Sequence, residues 1–342
     1  MKLLLFGDAH FCARSSIINK FGAKYSARLE NQIQTFSWIK EQAIKNNCDL
    51  VIGLGDLFDA SQLSDMEITA AKDLLFADLP TYLLVGNHES GSQNLAYSST
   101  KVLEGPKCAI ISEPVSIKLD CCTELCFLPY ITECDRKAIN EYFPDRALNS
   151  KRIILSHNDI KGISYGPVVS TFGFDITDIE ASCDLYINAH IHNGQYITDK
   201  VLNIGNITGQ NFSEDAFKYS HNIIILDTDT LRLTFIENPY AYNFYKIDIN
   251  MEADLTVLEG LKTNAVVSVR CVQSLVEKVR QKIEETSNII DSRVILVRQY
   301  DEVEEATELD FTVDHLARFI ECCKATIENS ALLEEELSEI CK

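Results

Sequence analysis

The sequence has no long hydrophobic run and no export signal. Its longest apolar stretches are about as long as a β-strand, which excludes a membrane-spanning helix. Met1 to Phe6 opens like a signal peptide, but Asp8 and His10 interrupt the apolar region too early for one. We therefore expect a cytoplasmic protein that does not contact a membrane.

Signs of a disulfide framework or of a thiolate metal site are also lacking. The 12 cysteines are scattered through a large chain, which is typical of reduced thiols. Cys121, Cys122, Cys126 and Cys134 lie close together in the sequence. A structural zinc site would favour tighter paired spacing, so we interpret these four as strand and turn thiols, with zinc as the alternative.

The chain lacks the basic excess of a protein that binds nucleic acid through bulk electrostatics. It holds 31 Lys and Arg against 51 Asp and Glu, a formal net charge of −20. Half of this excess lies in residues 301–342, with 13 acidic and 3 basic residues, whereas residues 246–298 hold eight of each. The rest of the chain is only mildly acidic, and its candidate metal ligands are part of that acidity.

What the sequence does contain is an alternation of apolar strands and amphipathic helices. The 342 residues, 46% hydrophobic, suffice for one large domain and a smaller one. The order strand, helix, strand predicts parallel pairing with right-handed crossovers. Residues 243–298 follow the order strand, strand, helix, strand, which predicts a small α+β unit. Strands are predicted near 2–7, 49–54, 81–85, 109–128, 151–156, 185–189, 195–205 and 222–236, helices near 28–46, 64–77 and 92–104, and a long loop at 158–178.

Polar residues whose side chains can coordinate a metal ion follow these predicted strands. Gly86-Asn87-His88-Glu89 comes directly after an apolar run and offers an amide oxygen and an imidazole. The ends of parallel strands meet at one edge of a sheet, where α/β proteins place their sites. Five of the seven histidines lie just after predicted strands, which disfavours scattered structural roles. The candidate ligands are Asp8, His10, Asp56, Asn87, His157, His190 and His192.

This set of ligands favours a centre of two metal ions. Carboxylate, amide and imidazole together suit Mn²⁺ or Fe²⁺ better than a thiolate-bound zinc. Seven ligands are too many for one ion but fit two ions that share a carboxylate and act on a phosphoryl group. His88 is predicted to contact the phosphate and protonate the leaving oxygen. Asp56 is predicted to bridge the ions, which are completed by Asp8, His10 and His192 on one side and by Asn87, His157 and His190 on the other.

Two further segments carry weaker signals. Residues 11–29 hold four basic residues and several aromatic ones but no acid, which fits contact with a phosphate backbone and an ordinary solvated loop equally well. The basic residues are Arg14, Lys20, Lys24 and Arg28. In the acidic tail, a heptad-like apolar stripe predicts a helix that packs on its own domain or docks on a partner. The stripe includes Val313, Leu316, Ile320 and Ile327.

Taken in order, the strand-end motifs resemble the five signatures of calcineurin-like metallophosphoesterases. This resemblance covers roughly residues 1–236. It implies an α/β fold of four layers, a β-sandwich flanked by helices, and the metal roles given above, with His88 as the phosphate-contacting histidine. It also implies two Mn²⁺ ions, with Fe²⁺ or Mg²⁺ as alternatives. The motifs are Asp8-x-His10, Gly55-Asp56-x-x-Asp59, Gly86-Asn87-His88-Glu89, His157 and His190-x-His192.

Within that superfamily, the second motif is similar to the form found in SbcD-like DNA repair nucleases, especially phage recombination nuclease subunits. The turn at Gly205-Asn206, followed by Gly209, and the α+β unit after Pro239-Tyr240 resemble that group as well. The resemblance implies three parts: a nuclease domain over 1–240, a DNA-recognising α+β capping domain over 241–300, and an acidic linker with a helical tail over 301–342. The tail would bind the coiled-coil base of an ABC-type ATPase of the SbcC kind.

The function implied is that of a Mn²⁺-dependent DNA exonuclease and endonuclease. It would work as a homodimer with two ATPase chains in recombination and double-strand-break processing. Glu89 stands where that group usually has Asp and where protein Ser/Thr phosphatases have Glu. However, neither Asp59-Ala60-Ser61 nor Glu89-Ser90-Gly91 supplies the arginines that such phosphatases carry. Two alternatives stay open: a phosphatase or phosphodiesterase for small or protein substrates, and a catalytically silent scaffold for the ATPase.

Overall fold

The computed structural model of this chain describes residues 1–14, 22–74, 79–92, 94–144, 146, 150–165 and 168–297. None of the helices in this part of the chain has the length and apolar composition needed to cross a bilayer. Several predicted features lie outside the described residues: Lys20, the acidic tail at 301–342 and, within it, Val313, Leu316, Ile320 and Ile327.

The described residues form seventeen strands, β1 to β17, and five α-helices, α1 to α5, numbered along the chain. The strands are Lys2–Phe6, Leu50–Gly53, Thr81–Leu84, Cys108–Ile111, Val115–Lys118, Thr123–Leu128, Lys151–Ser156, Ser164–Tyr165, Val168–Val169, Leu185–Asn188, Gln195–Tyr196, Val201–Asn203, Asn222–Asp227, Arg232–Glu237, Asn243–Ile249, Ala265–Cys271 and Ile289–Leu296. The α-helices are Ala27–Lys45, Asp65–Leu74, Ile139–Tyr142, Ile176–Ser182 and Val276–Glu285.

Two six-stranded sheets make up the body of the fold. The first has the order β14-β13-β1-β2-β3-β4, with β1 to β4 parallel and β13 antiparallel to β1. The second has the order β11-β12-β10-β7-β6-β5, with β6, β7, β10 and β12 parallel. Because the central strands of each sheet run in one direction, their carboxyl ends lie along a single edge.

The sheets are apolar on both faces because each face is covered. In β1, Leu3 and Leu5 point towards the second sheet and pack in a cluster with Phe127 and Leu155. The alternate residues Leu4 and Phe6 point the other way, towards helix α1. The outer face of the second sheet is covered in the same manner by residues of α3 and α4. The order helix, sheet, sheet, helix confirms the predicted four-layer α/β sandwich.

Helix α1 shows how the local sequence sets these layers. The Ser26 hydroxyl accepts a hydrogen bond from the Leu29 amide (3.2 Å) and so caps the first turn. Phe36 and Ile39 lie on the buried face, and the ring centroid of Phe36 is 5.7 Å from that of Phe6. The helix is thereby held against the first sheet, beside the turn that carries Asp8 and His10.

A third, parallel sheet of order β15-β16-β17 follows the body. One face packs on α5, with Val267 and Val269 in the contact. The other face places Phe244 against Phe212 of the body (ring centroids 5.2 Å apart). The predicted order of strand, strand, helix and strand is present, and a 3₁₀ helix at Glu252–Gly260 is an addition.

Three predicted segments differ from the structure. The loop at 158–178 contains the short hairpin β8–β9, and α4 begins within it at Ile176. The helix expected from about residue 92 appears only as a 3₁₀ turn at Ser99–Leu103. Just before it, the Ser90 and Ser92 hydroxyls donate to nearby backbone carbonyls, which favours turns over a helix. The region 109–128 is divided, because β4 joins the first sheet and β5–β6 form a hairpin in the second.

Candidate metal centre

All eight residues predicted for the centre follow strands whose carboxyl ends lie at one edge of the sandwich. Asp8 and His10 follow β1, Asp56 follows β2, and Asn87 and His88 follow β3. His157 follows β7 in the second sheet, and His190 and His192 follow β10. The structure brings six of these side chains together in two triads, and within each triad the ligand atoms lie within 4.8 Å of one another. His10 and Asp56 form a further such group with His88, and this group links the two triads. The first triad is Asp8, His10 and His192, and the second triad is Asp56, His157 and His190.

One carboxylate oxygen lies between the two triads. Oδ2 of Asp56 is 3.2 Å from Nε2 of His157 and 3.9 Å from Nε2 of His10, which belongs to the first triad. Its other oxygen, Oδ1, accepts the backbone N–H of His88 (3.0 Å). Asn87 adds an amide oxygen 3.3 Å from Nε2 of His157. This is the arrangement expected of a carboxylate shared by two ions.

Each histidine of the triads has one ring nitrogen held by an oxygen acceptor. Nδ1 of His10 is 3.0 Å from Oδ1 of Asp59, and Nδ1 of His192 is 3.2 Å from Oε1 of Glu214. In the second triad, Nδ1 of His157 is 2.7 Å from the Leu54 carbonyl, and Nε2 of His190 is 3.2 Å from Oδ1 of Asp159. An N–H directed at each acceptor leaves the opposite nitrogen with a lone pair, as a metal ligand requires.

The geometry of His10 and His192 tests whether metal ions fit the centre. Their Nε2 atoms lie only 3.1 Å apart. Since each ring directs its Nδ1 at a carboxylate, the two Nε2 atoms face each other, and either a proton between them or a metal ion beside both offsets the repulsion of their lone pairs. The mixture of imidazole, carboxylate and amide donors suits first-row divalent ions such as Mn²⁺ or Fe²⁺. The residues therefore fit two divalent metal ions.

Electrostatic coupling holds the centre in a charged form. Burial acts to raise the pKa of the Asp56 carboxyl, but the imidazoles of His157 and His10 outweigh it and hold that pKa below its usual value. Burial likewise acts to lower the pKa of His157, but the Asp56 carboxylate reverses this and brings it to about 9. Because the pKa of His157 is raised, a proton and a metal ion compete for its Nε2.

The backbone at this edge is strained where the ligands lie. Asp8 (φ 46°), His10 (φ 46°), Asp56 (φ 47°) and His190 (φ 85°) are four of the seven non-glycine residues with positive φ in the described part of the chain. Hydrogen bonds hold them there, for example from the His190 amide to both Asp8 oxygens (3.0 and 2.9 Å). Strain of this kind is kept where the surrounding structure fixes it, often at a functional site.

Two glycines are required by close approach to the ligands. A Cβ on Gly86 would lie 2.1 Å from Oδ1 of Asp56, and one on Gly55 would lie 2.4 Å from Nδ1 of His157. Gly55 also has a φ of +94°, which favours glycine. The glycines of these two motifs therefore make room for the metal ligands.

His88 lies at the rim of the centre rather than within it. Its side chain is 43% exposed, and its ring centroid is 4.7 Å from that of His10. Nδ1 is 3.0 Å from the carbonyl oxygen of Asp59, which leaves Nε2 as the nitrogen open to a substrate. This position is compatible with proton transfer to or from a group bound at the metal ions.

Glu89, the residue in which the motif departs from the nuclease group, does not face the centre's opening. It is fully buried and accepts hydrogen bonds from the backbone amides of Gly86 (2.8 Å) and Phe58 (3.1 Å). Burial and the nearby Asp56 carboxylate raise its pKa to about 8. Glu89 thus braces the turn beneath the metal ligands.

The predicted DNA-binding residues have different positions. Arg14 and Lys24 are exposed, and Lys24 lies 4.7 Å from the centroid of the Tyr25 ring. Arg28 is only 3% exposed and donates to the Gly209 carbonyl (2.7 Å) and the Thr208 hydroxyl (3.1 Å). The prediction that Arg28 contacts DNA is wrong for this structure, because its guanidinium holds α1 against the turn that contains Thr208 and Gly209.

Sequence reasoning missed three acidic residues that orient the ligands. Asp59 belongs to a motif, but nothing in its spacing reveals the bond to His10. Asp159 lies two residues after His157, whereas Glu214 comes from a loop between β12 and β13. Only its burial distinguishes Glu214 from other acidic residues in loops, and burial cannot be read from a loop sequence.

Comparison with known proteins identifies the family to which this sequence belongs. Among the solved structures similar to this chain is a dimetal phosphatase from Danio rerio, with 12% sequence identity and a TM-score of 0.40 over 70% of this chain and 99% of that chain. A search of curated proteins found no match. The profile of the calcineurin-like phosphoesterases matches residues 1–194, more than half of the chain. The chain belongs to the calcineurin-like phosphoesterase family.

Proposed function

We propose that this chain hydrolyses phosphodiester bonds in DNA and serves as the nuclease subunit of an ATPase–nuclease complex that processes double-strand breaks. The observation that carries the hydrolytic part is the position of Oδ2 of Asp56 between the two triads. The choice of DNA rests on the SbcD-like motifs and on the space around the centre.

The residues divide the chemistry between them. Asp8, His10 and His192 would hold one divalent ion, and Asn87, His157 and His190 the other, with Asp56 shared. Two such ions, Mn²⁺ in our proposal, would polarise the phosphoryl oxygens and lower the pKa of a bound water. Because Nε2 of His88 is the nitrogen left open at the rim, His88 is placed to give a proton to the leaving oxygen. Asp59 orients this ring through its carbonyl and His10 through its carboxylate.

The space beside the centre favours a substrate larger than a phosphomonoester. A cleft of about 1000 Å³ is lined by Asn87, so it reaches the metal centre. Ser90 and Ser92 lie along it, as do Tyr130 and Lys137. The Tyr130 ring centroid is 5.8 Å from that of His190, which gives an aromatic face on which a base could stack next to the scissile phosphate.

The net charge of −20 explains why a partner is part of the proposal. A strongly acidic chain gains little from bulk attraction to DNA. Arg14 and Lys24 supply local positive charge, and a coiled-coil ABC-type ATPase would supply the remaining grip. The acidic tail with its apolar stripe would dock on that ATPase, and the chain would act as a homodimer. Deletion of residues 307–342 should abolish ATPase binding while leaving metal binding intact. If the shortened chain still binds the ATPase, the tail is not the docking segment.

A phosphatase is the second candidate, favoured by Glu89, which is the residue of protein phosphatases at that position. However, Glu89 is buried against backbone amides and has no access to a substrate. The arginines that such phosphatases carry after the two motifs are replaced here by Ala60-Ser61 and Ser90-Gly91. The balance therefore favours the diesterase.

A comparison of four substrates, each assayed separately, distinguishes these functions. The full chain, loaded with Mn²⁺, is assayed with linear duplex DNA, circular single-stranded DNA, bis(p-nitrophenyl) phosphate and p-nitrophenyl phosphate. An Asp56→Asn chain purified in the same way controls for contaminating nucleases. We expect cleavage of DNA and of the diester, with little turnover of the monoester. Turnover of the monoester alone would indicate a phosphatase, and no turnover at full metal occupancy would indicate a scaffold.

A further inference from the structure

Glu214 is a buried acid that the proposed chemistry does not use directly. It lies in the segment 205–221 between β12 and β13 and is only 5% exposed. Oε1 lies 3.2 Å from Nδ1 of His192 and also accepts a hydrogen bond from the side-chain amide of Asn206 (2.9 Å). The backbone amide of Gln210 lies 3.2 Å from Oε1 and 3.1 Å from Oε2. Every one of these partners donates, so only a group that accepts from all sides satisfies them.

The surrounding backbone fixes the position of this carboxylate. A Cβ on Gly209 would lie 1.8 Å from the carbonyl oxygen of Tyr242, so the chain passes Tyr242 in close contact. Beyond Glu214, the Ala216 amide donates to the carbonyl of Phe244 in β15 (3.1 Å). The segment thus contacts the chain at Tyr242, just before β15, on one side of Glu214, and β15 itself on the other side. A carboxylate on such a support has little freedom to move away from His192.

Glu214 differs from the other groups that orient the metal-site histidines. Asp59 is 49% exposed and Asp159 is 26% exposed on their side chains, and Leu54 contributes a backbone carbonyl. Among these four, Glu214 is the one buried carboxylate. A buried charge interacts more strongly with its neighbour than an exposed one, because less water screens it.

We propose that Glu214 is a positioning residue for the first triad: it fixes the ring and the tautomer of His192, and it thereby sets the affinity of one of the two metal ions. With Nδ1–H held by Glu214, Nε2 of His192 faces Nε2 of His10 as a ligand. Without that acceptor the ring is free to turn and to carry its proton on Nε2, where it would exclude metal. This inference rests on metal binding by the centre and not on which phosphoester is hydrolysed.

The test compares two buried Glu→Gln substitutions in the full chain. Glu214→Gln removes the negative charge beside His192 and leaves one acceptor oxygen where the carboxylate has two. Glu124→Gln is the matched control, since Glu124 is 7% exposed and bonded to Nε of Arg152 (2.8 Å), at the opposite end of β6 and β7 from His157. Each protein is freed of metal, and Mn²⁺ binding is followed by calorimetry and by the electron paramagnetic resonance of free Mn²⁺.

For Glu214→Gln we expect one of the two binding steps to weaken about 10- to 100-fold while the other stays within about twofold. Glu124→Gln should lower thermal stability without changing either step. In a His192→Ala background, Glu214→Gln should have no further effect on metal affinity. Unchanged affinity in folded Glu214→Gln, or an equal loss with and without His192, would overturn the proposal.

Should Glu214→Gln not fold, Glu214→Asp decides the matter. The shorter acid keeps the charge but withdraws its oxygens from His192, so the same binding step should weaken by a smaller factor. Two unchanged steps would count against Glu214. Because metal affinity is the readout, this result is independent of DNA cleavage. Normal metal binding without cleavage would refute the proposed function and leave the role of Glu214 standing.

Discussion

The two triads are similar in composition but are supported in different ways. In the first triad both histidines are oriented by side-chain carboxylates, Asp59 and Glu214. In the second, His157 is oriented by the backbone carbonyl of Leu54 and only His190 depends on an acidic side chain, Asp159. Under our proposal for Glu214, the metal affinity of the first triad depends on carboxylate charges that a mutation can remove. In the second triad, one of the two histidines is oriented by a backbone carbonyl, which a side-chain substitution does not remove.

The two triads also differ in what lies next to them. Asn87 and Tyr130, on the side of the second triad, line the large cleft. Glu214, on the side of the first triad, lies in the segment beneath the third sheet. We infer that the second triad lies nearer the substrate, whereas the first triad is closer to the support that the third sheet provides.

Asp56→Asn should have the largest effect, because it removes the charge of the carboxylate that lies between His157 and His10 of the first triad. Loss of the shared charge should abolish binding of at least one Mn²⁺ and cut phosphodiester turnover by about a thousandfold or more, equivalent to about 4 kcal/mol. Metal stoichiometry and turnover of bis(p-nitrophenyl) phosphate measure this. Asp49→Asn, an exposed acid before β2 whose carboxylate accepts from the Lys2 amide, is the control. Two tightly bound ions in Asp56→Asn would refute a shared ligand.

His88→Asn should separate chemistry from metal binding. The variant removes the open nitrogen at the rim but no ligand, so both binding steps should be unchanged. We expect a loss of about 100-fold or more in the cleavage of DNA, whose leaving oxygen needs a proton. The loss should be much smaller with bis(p-nitrophenyl) phosphate, because p-nitrophenolate leaves without protonation. Equal losses would make His88 a phosphate-binding residue instead, and unchanged cleavage would remove it from the mechanism.

Asp159→Asn is the counterpart of Glu214→Gln on the other side of the centre. It removes the charge that orients His190, so the other of the two Mn²⁺ binding steps should weaken, by about 10-fold because Asp159 is partly exposed. Asp175→Asn, an exposed acid at the start of α4, is the control. Loss of the same step in both Asp159→Asn and Glu214→Gln would show that the triads do not bind independently.

The sequence was sufficient for those parts of this comparison that depend on local pattern. An apolar run followed at once by polar residues predicts a strand that ends at the sheet edge, and the strand at Lys151–Ser156 with His157 after it was placed without error. The five motifs are local in the same sense, so the candidate ligands could be named from the sequence, and the structure brings their side chains together. The alternation of strands and helices predicted the parallel pairing, and the family resemblance implied the four-layer sandwich.

The supports could not be predicted, because they depend on contacts between distant parts of the chain. Glu214 reaches His192 from 22 residues away, and Arg28 is buried by a turn 181 residues further on. Nothing near Arg28 distinguishes it from the exposed Arg14 and Lys24. The start of α4 was missed for a different reason: glycines in the preceding segment resembled those of a continuous loop, although Asp175 caps the helix through the Thr177 amide.

Tyr130→Ala should have the smallest effect and probes the cleft beside the second triad. Removing a ring on which a base stacks should weaken DNA binding by about 1 kcal/mol, or about fivefold in KM. Tyr130→Phe keeps the ring and should behave like the unmodified chain. A DNA substrate with an abasic site next to the scissile phosphate has no base to stack there, so it should be cleaved equally well by all three proteins. If Tyr130→Ala raises KM for the abasic substrate as well, the ring acts by shaping the centre around His190 and not by stacking.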